Sequence, residues 1–260
     1  MTVPASRRFR TAYAAHRAAE GRGAGGVVER DALPYLRTGP LARAWAVRAR
    51  TWECFRDRVV QPLARARGAP LAAADLGAGN GWLCHRLMAL GHCATAVDLR
   101  TDSVDGLGAA GPIRRVAASF DTLPLASHSC DLAVFNAALH YATDLSAALA
   151  QATRVTRPQG VIAILDSPFY ARDRDGDAMV TAKRRHAAEV FGARAGALLA
   201  LPHIEYLTPD RLAHASDALG LTWERHRVRY PLWYELRPVL ARLRFQRRPS
   251  RFDCWTAVVP

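Results

Sequence analysis

Lysine is almost absent from this chain of 260 residues: of its 36 basic residues, only Lys183 is not arginine. Acidic residues are also few, 23 in all, and the formal net charge is +13. Such a surplus invites a polyanion or an anionic membrane as partner. The near-exclusive use of arginine in an alanine-rich chain is equally what GC-rich coding produces. The charge is therefore weak evidence, and nucleic acid is not the expected partner. No C-x-x-C pair occurs among Cys54, Cys84, Cys93, Cys130 and Cys254, and their number is odd. This argues against a thiolate zinc site and a paired disulfide framework, and for free thiols in a reducing cytoplasm. No apolar run approaches the ~18 residues of a membrane span. Ser6-Arg7-Arg8-Phe9 glances at a twin-arginine signal, but His16, Arg17, Glu20 and Arg22 stand where an apolar stretch would follow, so export is not expected. Internal repeats and low-complexity linkers are lacking. Half the residues are hydrophobic, ample for the core of one large domain, with or without an appendage.

What is present is Ala74-Asp75-Leu76-Gly77-Ala78-Gly79-Asn80-Gly81-Trp82, followed by Ala96-Val97-Asp98. An apolar run, a glycine loop, a helix pattern and a second apolar run ending in an acid build a nucleotide-type cofactor site at the end of the first strands of an α/β sheet. The glycine spacing narrows the cofactor. A dinucleotide fingerprint, G-x-G-x-x-G, would need glycine at 82, where Trp82 stands. The pattern here is G-x-G-x-G.

Around this motif, strand and helix signals alternate. Strands are predicted at 71–76, 93–98, 113–118, 130–135 and 161–165, with helices at 81–90, 102–109 and 145–155. Alternation of this kind implies a parallel sheet with helices on both faces. Ahead of it, residues 1–40 look irregular, with Gly21, Gly23, Gly25 and Gly26 close together and one short helix at 12–19. A long amphipathic helix is predicted at 41–66, its apolar face carrying Trp45, Trp52 and Phe55. Behind it, 178–201 reads as a helix interrupted at Gly192 and Gly196. Thr208-Pro209 reads as an N-cap and first turn of a helix ending at Gly220. Two late strands are predicted at 221–230 and 252–259.

The run D-L-G-A-G-N-G, with four further elements in order behind it, resembles motif I of class I S-adenosylmethionine (SAM) dependent methyltransferases, especially the broad small-molecule and quinone-biosynthesis-like subgroup, over residues 71–166. The resemblance implies an α/β fold: a Rossmann-like, seven-stranded, mainly parallel sheet with helices on both faces and an antiparallel last strand. It implies a helical N-terminal cap or lid over 1–68 and a SAM-binding domain over 69–260 with an insertion at about 231–250. The implied cofactor is SAM, with S-adenosylhomocysteine (SAH) as product. SAM carries no phosphate, so the free N–H groups at the helix start are expected to meet its carboxylate. Gly77, Ala78, Gly79 and Gly81 would cradle the amino-acid part, because glycine admits close backbone approach. Asp98, with Leu99 beside it, would take the ribose hydroxyls, and Asp75 would brace the loop or meet the ligand amine through water. For adenine, related proteins carry an acid shortly before a Leu-Pro. Here that position holds Ser119, with Phe120 and Asp121 following, so either Ser119 or Asp121 could accept from the adenine amine. Asn136 would line the pocket. Arg48 or Arg50 could reach the carboxylate from above.

Methyl transfer asks chiefly for alignment and exclusion of water, with a general base where the acceptor is a hydroxyl or acidic carbon. His140, just past the fourth strand, is the candidate base, expected to titrate near neutrality; the alternative is a histidine packed on Tyr141. Tyr141 could orient an acceptor. No metal set is expected: Asp173, Asp175 and Asp177 lack the glycine and final glutamate of a calcium loop. Asp166-Ser167-Pro168-Phe169-Tyr170 has serine where the D-P-P-Y signature of amino-methylating DNA enzymes needs proline, and it follows the wrong strand. Leu232, Trp233, Leu236, Val239, Leu240, Leu243 and Phe245 form a stripe among arginines. It reads as a lid over the pocket, as a peripheral membrane contact through 232–248, or as ordinary packing. The partner expected from all this is a small-molecule acceptor, apolar or aromatic, methylated at O, N or C. An RNA or protein methyltransferase and a non-catalytic SAM-binding sensor or partner subunit are the competing readings. A NAD-dependent enzyme is disfavoured by Trp82.

Overall fold

The computed structural model describes residues 3–22 and 25–260. Gly23 of the glycine-rich stretch, and residues 1, 2 and 24 of the expected cap, lie outside the described residues. Far from irregular, the N-terminal stretch holds α1 (Val3–Ala19) and α2 (Gly26–Ala32). Gly21 and Gly25 lie in the turns between these two helices, and Gly26 opens α2. Next, α3 (Ala42–Phe55) runs through a π-type turn at Arg56–Val60 into α4 (Gln61–Arg67). Pro62 has no N–H to donate back along the ladder, which accounts for the break in α-helical bonding there. Gly68, at φ +64°, ends the run by the left-handed C-cap that glycine adopts without strain.

Seven strands follow: β1 (Ala72–Leu76), β2 (Cys93–Asp98), β3 (Arg114–Ala117), β4 (Cys130–Asn136), β5 (Thr156–Leu165), β6 (Trp223–His226) and β7 (Cys254–Val258). Their order in the sheet is β3-β2-β1-β4-β5-β7-β6, with only β7 antiparallel to its neighbours. This is the seven-stranded, mainly parallel, Rossmann-like sheet that the sequence implies. Its chain reversal beside β1 opens a crevice at the carboxyl ends of β1 and β4, where such sheets bind ligands.

The strands between β1 and β5 are buried on both faces, and the alternation of side chains feeds two cores. Leu132 and Val134 of β4 face one core, which holds Trp52, Phe55, Leu83 and Leu87 from α3 and from α5 (Trp82–Ala89). Ala133 and Phe135 face the other, with Leu149 from α6 (Leu145–Val155) and Leu212. Phe55 and Phe135 are fully buried, so truncating either to alanine should cost about 3–5 kcal/mol.

Beyond β5 lie α7 (Asp173–Arg185), α8 (Ala187–Phe191), α9 (Ala195–Leu198), α10 (Pro209–Ser216), α11 (Leu232–Glu235) and α12 (Arg237–Leu243). Thr208 caps α10 as expected, its Oγ1 accepting from Arg211 N at 3.2 Å. α7 starts five residues earlier than the sequence suggested, because Asp173 and Asp175 fill its first turn, where acids suit the helix dipole. The helix expected at 102–109 is instead a 3₁₀ turn, Leu107–Ala110. Asp102 Oδ1 accepts from the N–H groups of Val104 and Asp105 at 3.2 and 3.0 Å, and Gly106 and Gly108 press against the Asp102 backbone. The strand expected over 221–230 narrows to four residues at the sheet edge.

Candidate functional site

A cavity of about 430 Å³ opens over the carboxyl ends of β1, β2 and β4, a size common for small-ligand sites. Gly77, Ala78, Gly79, Asp98, Leu99, Ser119, Phe120, Asp121, Asn136, His140 and Tyr141 all line it. Asp75 and Gly81, also expected at the cofactor, do not.

The glycines of the loop differ in what requires them. Gly77 has φ +88°, and a Cβ there would collide with Ala138 Cβ and come within 3.1 Å of Phe120 Cζ. Gly81 has φ +73°, and its Cβ would meet Ile113 Cδ1 at 2.8 Å and Ala110 Cβ at 2.9 Å. Gly81 is thus a packing and turn glycine beneath the loop. Several N–H groups of the loop already have partners within the protein. Those of Gly77 and Ala78 donate to Val97 O, that of Gly79 to Asp98 Oδ2, that of Gly81 to Ala78 O, and that of Trp82 to Asn80 Oδ1. The loop gives room, and five of its N–H groups are engaged within the protein.

Asp98 ends β2 with Oδ2 accepting from Gly79 N at 2.8 Å and Oδ1 from Arg100 N at 2.7 Å. These bonds fix the carboxylate at the cavity edge with lone pairs to spare. Burial pushes its pKa upward against the pull of the two N–H groups and Arg100. Asp75 is fully buried beneath the loop. Its Oδ2 accepts from Cys84 Sγ at 3.8 Å, and Oδ1 has no partner. Burial, reinforced by Asp98, raises its pKa to about 8, so Asp75 is largely a neutral acid at pH 7.

At the opposite end, Ser119 Oγ and Asp121 Oδ2 lie 3.4 Å apart, and the Phe120 ring stands edge-on to Phe135. Asp121 Oδ1 and Asn136 Oδ1 are buried without partners among the described residues. Orphaned acceptors on a cavity wall mark places for a ligand's donors, because unmet buried polar atoms are costly.

The roof comes from α1. Phe9, Tyr13 and Arg17 face the cavity. Tyr13 packs edge-on to Tyr141, with the two hydroxyls 3.2 Å apart, and Phe9 packs on His203. Arg17 Nε reaches Asp105 Oδ2 at 2.8 Å. His140 packs against Tyr141, with Nδ1 3.4 Å from Ser167 Oγ. Burial, aided by nearby Lys183 and Arg48, lowers its pKa to about 3, so it is neutral throughout the physiological range and does not titrate near neutrality. His203, which sequence reasoning missed, lies on the same wall. Its Nδ1 is 2.7 Å from Tyr141 O and must carry the hydrogen there, which leaves the lone pair on Nε2, a buried atom without a partner. No local motif marks it; the signal is its fold-back beneath α1.

Arg48 and Arg50 part company. Arg50 is exposed and paired with Glu53 at 2.9 Å. Arg48 lines the cavity, stacks over Trp45 at 4.9 Å, and has Asp166 Oδ2 at 4.0 Å as its nearest acid. Arg10, Arg17, Arg22 and Arg100, the other arginines on this wall, each donate a hydrogen bond within the protein, whereas Arg48 makes none among the described residues. Burial lowers its pKa to about 10. Asp166, at φ +49°, is held by Thr51 Oγ1 at 2.8 Å.

The set fits SAM. A glycine recess that a Cβ would fill, a carboxylate at the end of β2, orphaned acceptors at one end and an unbonded guanidinium at the other match an amino-acid nucleoside. Among the described residues, no group of three or more His, Cys, Asp or Glu side chains is arranged to hold a metal ion, and no helix is long and apolar enough to cross a membrane. None of residues 232–248 lines the cavity, so the stripe is not its lid; α1 occupies that place.

Residues 74–164 match the family model of a methyltransferase domain. Over 112 residues the chain is 35% identical to the malonyl-[acyl-carrier protein] O-methyltransferase of Halorhodospira halophila; that stretch covers 41% of this chain and 38% of the relative. A chain of the Haloferax volcanii complex between the Trm112 methyltransferase activator and a methyltransferase superposes with a TM-score of 0.50 at 17% identity, covering 84% of this chain and 97% of that one. The 1,6-didemethyltoxoflavin-N1-methyltransferase of Burkholderia thailandensis, solved with SAH, gives a TM-score of 0.48 at 20% identity over 85% and 91%.

Proposed function

We propose that this chain, which carries a class I SAM-dependent methyltransferase domain, transfers the methyl group of SAM to a small apolar or aromatic acceptor at O, N or C and releases SAH. The observation that carries this reading is the two-ended cavity, polar at the glycine loop and aromatic beneath α1. Residues 1–68 act as its cap and 69–260 as the catalytic domain, with 231–250 as an insertion. The free thiols support a reducing cytoplasm as its setting.

When bound, SAM supplies an electrophilic methyl group on a sulfonium. Gly77, Ala78 and Gly79 leave space for its amino-acid part. Arg48 offers its unbonded N–H groups to the carboxylate. Asp98 would accept from the ribose hydroxyls with the lone pairs that Gly79 and Arg100 leave free, with Leu99 beside it, and Asp121, Ser119 and Asn136, around Phe120, would accept from the adenine end. The aromatic roof of Phe9, Tyr13 and Tyr141 excludes water and orients a flat or apolar acceptor. Proximity and orientation of this kind account for most of the rate of a methyl displacement. An acceptor that must lose a proton gives it to a neutral imidazole. His203, with its tautomer fixed and Nε2 free, is the base, and His140, too weakly basic for that role, positions Tyr141 by packing against it.

The Halorhodospira relative is named for O-methylation of a malonyl group, so a carboxyl oxygen belongs among the acceptors to be tried. The test is incubation with methyl-labelled SAM and host extract separated into small-molecule, RNA and protein fractions. Label in the small-molecule fraction is expected. Label in RNA or protein would favour the competing enzyme reading, and binding without turnover would favour a sensor or partner subunit.

A further inference from the structure

We propose that the face formed by α11, α12 and the turn behind them docks on an anionic lipid surface. Leu232, Leu236, Val239, Leu240 and Leu243 fall at helical spacing on one side and are all exposed, along with Trp233. Phe245, in the following turn, is 99% exposed. This is a contiguous apolar face, where isolated exposed side chains are the norm. Beneath it, Tyr234 and Ala241 are buried, and Tyr234 packs on Tyr230, so the segment is fixed to the body by its inner side.

Charge decides the occupant. Arg242, Arg244, Arg247 and Arg248 are exposed around the face, and Arg43 stands 5.8 Å over the Trp233 ring. Arg247 donates to Tyr170 Oη, while Arg242, Arg244 and Arg248 have no ion pair among the described residues. Glu235 is the one acid in 231–250, and it is bound to Arg251 at 2.7 Å. A second copy of this chain would bring its own arginines against these. Nucleic acid would leave the leucines and Phe245 in water. A bilayer with anionic headgroups meets both halves: the apolar side chains enter the acyl boundary, and the arginines lie at headgroup level.

Co-sedimentation with phosphatidylglycerol–phosphatidylcholine vesicles and with phosphatidylcholine vesicles tests this. Binding to the anionic vesicles alone is expected, weakening with salt. Leu243→Glu with Phe245→Glu should reduce partitioning by about tenfold or more, and each of Arg242→Gln, Arg244→Gln and Arg248→Gln by about fivefold. Because these residues stand outside the cavity, SAH affinity should be unchanged, which confirms an intact fold. Equal binding to both vesicle types, full binding by the double glutamate variant, or a dimer in ultracentrifugation that this variant dissolves would each overturn the assignment.

Discussion

Replacing Arg48 by methionine should separate two effects that usually travel together. In the free chain, the Arg48 side chain is half-buried on the cavity wall, makes no hydrogen bond among the described residues and has its nearest acid at 4.0 Å. Its charge is poorly compensated, so an apolar side chain of similar length should cost little stability or raise it. Asp166 keeps its bond to Thr51 at 2.8 Å. Ligand binding should move the other way. Hydrogen bonds from an arginine to a carboxylate are worth about 1.5–3 kcal/mol, or about 10- to 150-fold in affinity. SAH carries that carboxylate and 5′-methylthioadenosine does not. The assay is calorimetric titration of both ligands into wild type and Arg48→Met, with thermal melts of the free proteins. Wild type should prefer SAH, the variant should bind the two ligands alike, and affinity for 5′-methylthioadenosine should be the same in both proteins. A variant that loses both ligands equally, or that retains the full preference for SAH, would refute the reasoning.

Gly77→Ala places a methyl group against Ala138 and Phe120 at a positive φ; steric strain and overpacking together should cost about 2–4 kcal/mol, visible as a lower Tm and a loss of SAH binding in calorimetry. Asp75 makes stability fall with pH. With its folded pKa about 8 against an ordinary 3.8, the native state holds a proton that the unfolded chain has released, so its contribution is full below about pH 4 and is lost as pH rises through 8. Asp75→Asn should therefore gain in Tm over wild type as pH is raised from 5 to 8, and a constant difference would contradict the buried acid. His140, lowered to about 3, should keep the nitrogen chemical shifts of a neutral imidazole down to pH 5; a midpoint near 6.5 would show it to be solvated.

Much of this could be read from the chain because local and global signals agree. The glycine loop, the acid ending β2, the strand–helix alternation and the Thr208 cap each have a short-range cause. Where the reading failed, the cause was tertiary. Asp102 captured N–H groups that a helix at 102–109 would have used. Gly81, inside the motif, answers to Ile113 and Ala110 beneath it. His140 looked like a titrating base, and only its burial shows otherwise. His203 and the roof of α1 depend on contacts across most of the chain, such as Phe9 with His203. The apolar stripe at 232–245 was legible, but only the fold shows that it points away from the cavity.

Titration with SAM is the most direct measurement, set beside NAD and repeated on Asp98→Ala. One SAM per chain, no binding of NAD, and a large loss of SAM affinity in the variant are the results that this cavity predicts. Because Asp98 also holds the N–H groups of Gly79 and Arg100, a modest fall in Tm should accompany the loss. Absence of SAM binding by wild type, or undiminished affinity in a folded Asp98→Ala protein, would contradict the account.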